Sequence, residues 1–311
     1  MNHAAAGVSP PIIKHTYKAH EAESWTDIHF NRPFGLLLAI FFRKLGWTPI
    51  MVTLLGGIFG IVGGHLYYYR DLKLNLIGVA LHIVANLLDN ADGQLARLTG
   101  ASSRKGRLID SVVDQAIFIN IYFNLGFRCL ATSSFWPVAL LAFPAGLSHA
   151  FQAAAADYYR NAYLYFTTNR TRGEFDSSVG LRMEFRRLSW RENFWRKLLL
   201  VFYLNLTRQQ EMISPGLFRL QATVARVFPD GIPQWFQARY RELTKPAFKW
   251  WGWLMTNPRV FLLFVLLLMN RPLAFFWFGL TGFNLLLVYL LWREKKMAEL
   301  LLESLAEKPK R

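Results

Sequence analysis

Apolar residues run almost unbroken through positions 48–69, 74–95, 108–130 and 136–156, and again through 248–269 and 272–292. The hydrocarbon core of a bilayer takes about 20 helical residues to cross. Each run therefore predicts a membrane-spanning helix, six in all. Upstream, Trp25–Gly46 mixes aromatic residues and leucines with charge, bracketed by Arg32-Pro33 and Trp47-Thr48-Pro49. That stretch is too short and too charged to span, and it predicts an amphipathic helix lying in the membrane interface. The expected fold is all-α: a polytopic membrane protein of six transmembrane helices preceded by an interfacial amphipathic helix.

Charge sets the expected orientation. The chain holds 36 Lys and Arg against 20 Asp and Glu, a formal net charge of +16. Arg43 and Lys44, the segment Arg97–Arg107, and Arg293, Lys295 and Lys296 fall on one side of the six runs, whereas the opposite loops carry only Arg70, Lys73, Arg128 and Arg271. The richer side, with both termini, is expected to be cytoplasmic. Between the fourth and fifth runs, residues 157–250 hold 16 Lys and Arg against 8 Asp and Glu. Within this insert, FWRKLLLVFYLNL and LFRLQATVARVF have the spacing of helices that lie on an anionic leaflet, or that form a small helical subdomain over the active face. The expected organisation is a cytoplasmic tail (1–24), the interfacial helix with four spans (25–168), a basic insert (169–247), two spans (248–297) and a charged tail (298–311). Because the basic residues alternate with apolar runs, they point to topology and lipid-surface charge, and no nucleic-acid partner is expected. The single cysteine, Cys129, rules out an internal disulfide and a cysteine metal cage. The first residues lack the pattern of a cleaved signal peptide, so the first span is expected to direct insertion.

The second run ends in DNADGQLARLTGASSRKGRLIDSVVD, which reads D-x2-D-G-x2-A-R-x8-G-x3-D-x3-D. On a helix Asp89 and Asp92 share a face, and Gly106, Asp110 and Asp114 form a stripe at four-residue spacing. A turn near 99–105 would fold the third span back on the second and bring the two acidic pairs together. Four carboxylates at a membrane boundary repel one another unless cations stand between them. All-oxygen ligation selects hard divalent ions, Mg²⁺ or Mn²⁺, and two of them about 4 Å apart would suit in-line displacement at phosphorus. Gly93 and Gly106 leave room for a bulky phosphate-bearing ligand to approach the backbone, as does Ala96. Arg97 is the nearest fixed cation, with a planar fork suited to phosphate oxygens.

This string resembles, without departure, the signature of the CDP-alcohol phosphatidyltransferases, membrane enzymes that exchange the CMP of a CDP-linked donor for a hydroxyl acceptor. The resemblance implies that Asp89, Asp92 and Asp110 ligate a metal pair, and that Asp114 shares the second ion and serves as catalytic base on the acceptor hydroxyl. It further implies that Asp92, Gly93, Ala96, Arg97 and Gly106 surround the CDP group, and that the protein forms a homodimer. The basic insert does not belong to the family's minimal core. The expected activity is transfer from CDP-diacylglycerol to a small polar alcohol at the cytoplasmic face. The alternative within the family is transfer from CDP-choline or CDP-ethanolamine to a lipid hydroxyl. From other classes, an ion transporter would place its carboxylates nearer mid-bilayer, and a membrane scaffold could rely on the insert alone.

Secondary signals are weaker. Thr99, Ser102, Ser103, Arg104 and Lys105 suit either a phosphate contact or a solvated loop. His149, Gln152, Ala156 and Arg160 share one helical stripe, either a wall that selects the acceptor or a hydrogen-bonded seam between helices. Of these, Arg160 is the one expected to meet an anionic group. Gly56, Gly60 and Gly64 repeat GxxxG, a surface for packing within the chain or in a homodimer. His82, Asn86, Asn120 and Asn124 read as interhelical hydrogen-bonding residues, and the aromatic clusters at 67–69 and 250–253 as interface anchors.

Overall fold

The computed structural model describes residues 27–132, 140–168, 175 and 177–307. Among these residues all regular structure is helical. After a wide helical turn at Asp27–Asn31 comes α1 (Arg32–Lys44), then α2 (Pro49–Leu66), α3 (Leu72–Leu98), α4 (Arg104–Thr132) and α5 (Ala142–Thr168). The insert forms α6 (Ser178–Arg187), α7 (Phe194–Ile213), α8 (Pro215–Val227) and α9 (Gln234–Gly252). Helices α10 (Thr256–Leu268), α11 (Pro272–Leu280) and α12 (Gly282–Glu307) complete the chain.

Local chemistry fixes several helix starts. The Thr48 hydroxyl accepts from the Met51 amide at 3.3 Å, with Pro49 preset for the first turn. Asp71 accepts from the amides of Lys73 at 2.7 Å and Leu74 at 3.4 Å at the head of α3. Gly46, at φ +71°, makes the left-handed turn that ends α1 and reverses the chain into α2.

Among the described residues, five stretches are long and apolar enough to cross a membrane: 49–66, 72–98, 105–132, 234–268 and 272–306. The sequence predicts six. The missing one is the expected span at 136–156, part of which lies outside the described residues. Its described portion, α5, is helical but interrupts its apolar surface with Ser148, His149, Gln152, Asp157 and Arg160. Those groups face neighbouring helices or a cavity, which lowers the apolarity of the helix without making it a loop. Upstream, α1 is shorter than the interfacial segment expected at 25–46. It exposes Phe34, Leu37, Ile40 and Phe41, buries Leu36, Ala39 and Phe42, and ends in Arg43 and Lys44. The N-terminal tail and the last four residues lie outside the described residues.

Helices α2, α3 and α4 pack through glycine. A Cβ on Gly78 would stand 2.7 Å from the Gly63 carbonyl oxygen, so α2 and α3 touch backbone to backbone. Gly56 faces Leu88 of α3, while Gly60 and Gly64 face Ile117 and Asn120 of α4. The GxxxG stripe is thus filled within the chain.

Hydrogen bonds bind the remaining helices. Buried Arg128 donates to the Tyr67 carbonyl, Asn75 and Asn270 at 3.1, 2.9 and 3.0 Å, tying α4 to the ends of α2, α3 and α10. Buried Arg259 donates to Gln152 and lies over the Phe283 ring. Gln152 in turn donates to the Gly279 carbonyl at 3.0 Å and to Asn284 at 2.6 Å. Gln152 therefore acts in the interhelical seam. Asn86 meets Asn257 at 2.7 Å, Asn124 meets His65 at 3.2 Å, and His82 meets the Tyr67 hydroxyl at 3.0 Å, so these residues do the bridging the sequence suggested.

The insert is held by an aromatic core instead. Phe175, Leu217, Leu220, Val224, Phe236, Tyr240 and Trp251 pack with Tyr158, Tyr159, Tyr163 and Phe166 of α5 and with Leu290, Met297 and Leu301 of α12. The insert is thus anchored on the polar end of α5.

Candidate active site

The sequence places the acidic motif on the adjoining ends of α3 and α4, which the tight turn 99–103 joins, and both helices pack on α2. Gly100, at φ +66°, permits that turn. The Ser103 hydroxyl accepts from the Gly106 amide at 3.0 Å and so caps the first turn of α4. This gives Ser103 a local structural task. The side chain of Arg104 lies outside the described residues.

One carboxylate oxygen from each of Asp89, Asp92 and Asp110 lies within 4.8 Å of the others. Asp110 is within hydrogen-bonding contact of Asp89. Asp114, one turn further along α4, feels the charges of Asp89 and Asp92 and is exposed to the adjoining cavity. Asp92 is the most enclosed of the first three, 6% exposed. Its carboxylate accepts from the Thr53 hydroxyl of α2. The Pro49 carbonyl stands 3.0 Å from the same hydroxyl. Sequence reasoning missed Thr53, because a hydroxyl inside an apolar run carries no signal until α2 crosses α3.

Arg97 folds back over Gly93: a Cβ at that glycine would stand 3.5 and 3.6 Å from the two terminal guanidinium nitrogens. At Gly106 the corresponding position meets only Ser103, at 3.2 Å. Gly93, Ala96, Arg97 and Gly106 all line the same cavity as the carboxylates, a space of about 2790 Å³. From α5, half-buried Arg160 lines it, together with Asp157 and His149. His149 is buried with its ring edge-on to Phe118 at 4.2 Å. The cavity's apolar limb runs along Phe123 and Phe127 of α4 and Phe143 and Leu147 of α5. Its other wall comes from the insert: Tyr203, Asn205 and Gln209 of α7, and Arg241, Lys245 and Lys249 of α9.

The donor set fits hard divalent cations. Three carboxylates converge with oxygen atoms only. Such crowding of negative charge in a membrane boundary is tolerable when a cation shares it.

Fold and site together define a multi-pass helical membrane protein with an acidic, phosphate-suited centre between two of its helices. Residues 47–163 match the family model for CDP-alcohol phosphatidyltransferases, a segment that takes in α2, α3, α4 and most of α5. Over 98 residues the chain is 32% identical to archaetidylinositol phosphate synthase of Pyrococcus horikoshii, an alignment covering 32% of this chain and 49% of that protein. The chain thus spans about half the length of the curated relative it matches. The insert and the last three helices lie outside the matched segment.

Proposed function

We propose that the protein is a metal-dependent CDP-alcohol phosphatidyltransferase of phospholipid biosynthesis, moving a phosphatidyl group from CDP-diacylglycerol to a small polar alcohol with release of CMP. The observation that carries this reading is the convergence of Asp89, Asp92 and Asp110, which with Asp114 line a large, partly apolar cavity.

Asp89, Asp92, Asp110 and Asp114 would hold two Mg²⁺ or Mn²⁺ ions. Bound there, the ions would supply charge to the phosphate oxygens. The chain's residues do the rest. Gly93 and Gly106 let the diphosphate approach the helix backbones, and Arg97 lies over Gly93 where its fork meets the phosphate. Asp92 and Ala96 complete the CDP contact surface. Asp114, open to the cavity, takes the proton of the acceptor hydroxyl. The acceptor oxygen forms its bond to the β-phosphorus as the bond to the CMP oxygen breaks, and CMP leaves with those electrons. Thr53 positions Asp92 by its hydrogen bond. The apolar limb suits an acyl chain and keeps water from competing with the alcohol.

A second reading exchanges the roles: the donor is CDP-choline or CDP-ethanolamine and the acceptor a lipid hydroxyl. The extent of the apolar limb favours keeping it. The bias of basic residues towards the loops beside the motif supports an active site facing the cytoplasm. A homodimer would form through a face other than the glycine stripe, since that stripe is filled within the chain.

The deciding experiment is CMP release by the purified protein in detergent with Mg²⁺ or Mn²⁺. CDP-diacylglycerol with a pool of polar alcohols is compared with CDP-choline or CDP-ethanolamine plus diacylglycerol. Release from the first mixture is expected, and release from the second alone would select the second reading. Silence from both would remove the transferase reading.

A further inference from the structure

We infer that the hairpin formed by α6 and α7 is a docking surface for an anionic phospholipid leaflet, which it meets through an exposed stripe on α7 and a cluster of arginines at its tip. The inference does not depend on the transferase reading.

Two segments of the insert have, in sequence, the spacing of helices that lie on a leaflet, and the structure separates them. In α8, Leu217, Leu220 and Val224 are buried in the aromatic core, so its apolar side is covered within the chain. In α7 an apolar side faces outward. Phe194, Leu198, Val201, Asn205, Arg208 and Met212 recur at alternating intervals of four and three, which puts them on one stripe along the helix. Leu198 is half-buried and the other five are exposed, Met212 at 73%. Trp195, beside the stripe, is 74% exposed. The opposite side of α7 holds it to the protein: Leu200 and Thr207 are buried, and Gln210 donates to the Ala154 carbonyl of α5 at 3.3 Å.

The hairpin is built by its own contacts. The Ser178 amide at the head of α6 donates to Glu211 in the last turn of α7 at 2.7 Å. At the other end Arg196 pairs with Glu184 at 3.0 Å, and Lys197 donates to the Leu188 carbonyl at 2.8 Å. The two helices therefore run antiparallel, with the turn 188–193 as the tip. Lys197 is buried, its ammonium 4.4 Å from the Phe185 ring centre and 5.1 Å from that of Trp190. Arg182, Arg186, Arg187 and Arg191 stay outside, next to exposed Trp190, Phe194 and Trp195. Residues 178–197 hold six Arg and Lys against two Glu.

Charge and side-chain type select the occupant. Indole and phenyl rings settle at the level of lipid headgroups, and guanidinium groups beside them meet lipid phosphate through charge-assisted hydrogen bonds. An anionic leaflet adds attraction for each arginine near its surface. The leaflet is also close, since α7 is bonded to α5, and α5 packs against α4 and α11 of the membrane-crossing stretches. A second copy seated on the same face would bring these arginines against their own kind. Facing water, the cluster of exposed rings would remain an uncovered apolar patch.

The test uses the full chain, a single copy in each nanodisc, and the triple variant Arg186→Gln/Arg187→Gln/Arg191→Gln, which leaves Lys197 and the Arg196 pair in place. Hydrogen exchange of the amides of 178–197 is compared in phosphatidylcholine discs with and without about 30% phosphatidylglycerol. Exchange in the wild type is expected to slow at least about tenfold in the anionic discs, and the triple variant to lose that difference. Raising NaCl to about 0.5 M should shrink it in the wild type. In discs whose acyl chains carry bromine near the headgroup, tryptophan emission should be quenched more in the wild type than in Trp195→Phe, which places that ring in lipid. Equal exchange in neutral and anionic discs would overturn the inference, as would quenching that Trp195→Phe leaves unchanged. Slowing that appears only when discs hold two copies, whatever their lipid, would assign the face to a second copy and overturn it too.

Discussion

The matched segment and the insert are both helical, yet they are held together by different physics. In α2, α3 and α4 the helices meet through glycine and through single polar side chains, because lipid is as apolar as leucine and gives helices no hydrophobic reason to associate. In the insert, Leu217, Leu220 and Val224 of α8 and the large aromatic residues Phe236, Tyr240 and Trp251 of α9 bury against α5 and α12. The first arrangement seats α3 and α4 on the same helix, α2, and carboxylates from the two lie within 4.8 Å of one another. The second sets basic residues of α9 in the lining of the cavity that holds the motif.

Substitutions separate the two regimes. The largest effect is expected at Asp114→Asn, which should lower CMP release by about a thousandfold while leaving the size-exclusion profile unchanged; wild-type turnover would show that another group is the base. Next, Trp251→Ala should cost about 3–5 kcal/mol of local packing, and limited proteolysis should then cut within the insert before it cuts α2 to α4. An intact insert would mean that the aromatic core is not what anchors it. Gly78→Ala places a methyl group 2.7 Å from the Gly63 carbonyl and should cost about 1–3 kcal/mol, read as a lower Tm in detergent. Thr53→Val removes the donor to Asp92, and the Mg²⁺ concentration for half-maximal CMP release should rise about 10-fold or more. The smallest effect belongs to Gly252→Ala, since nothing among the described residues lies within 4 Å of the added carbon; stability should change little or rise by less than about 1 kcal/mol, read from Tm. A loss at Gly252 as large as at Gly78 would break the distinction between the two regions.

Much of the site was legible because helix geometry is local. Three- and four-residue spacings put Asp89 with Asp92 and Asp110 with Asp114 on common faces, and the short turn between the two helices keeps their motif ends together. Thr53 was not legible: it stands 39 residues before its partner Asp92, and hydroxyls occur in membrane helices for many reasons. Arg241, Lys245 and Lys249 were visible as basic residues, but their spacing alone describes any solvated helix face. The glycine stripe was legible as a packing surface, and its partner was not.

The sequence by itself determined the helical membrane architecture, a glycine stripe on α2 as a packing surface, and the spacing that groups four carboxylates with Arg97. These depend on periodicity and on residue type, which the chain carries along its length. Only the tertiary structure decided that α2 supplies Thr53 to Asp92, that α5 turns polar groups inward at the cost of its apolar signature, and that α9 lays its cations along the same cavity as the motif. Each of those pairings joins segments that no local spacing relates, and crossing helices and a shared core bring them together.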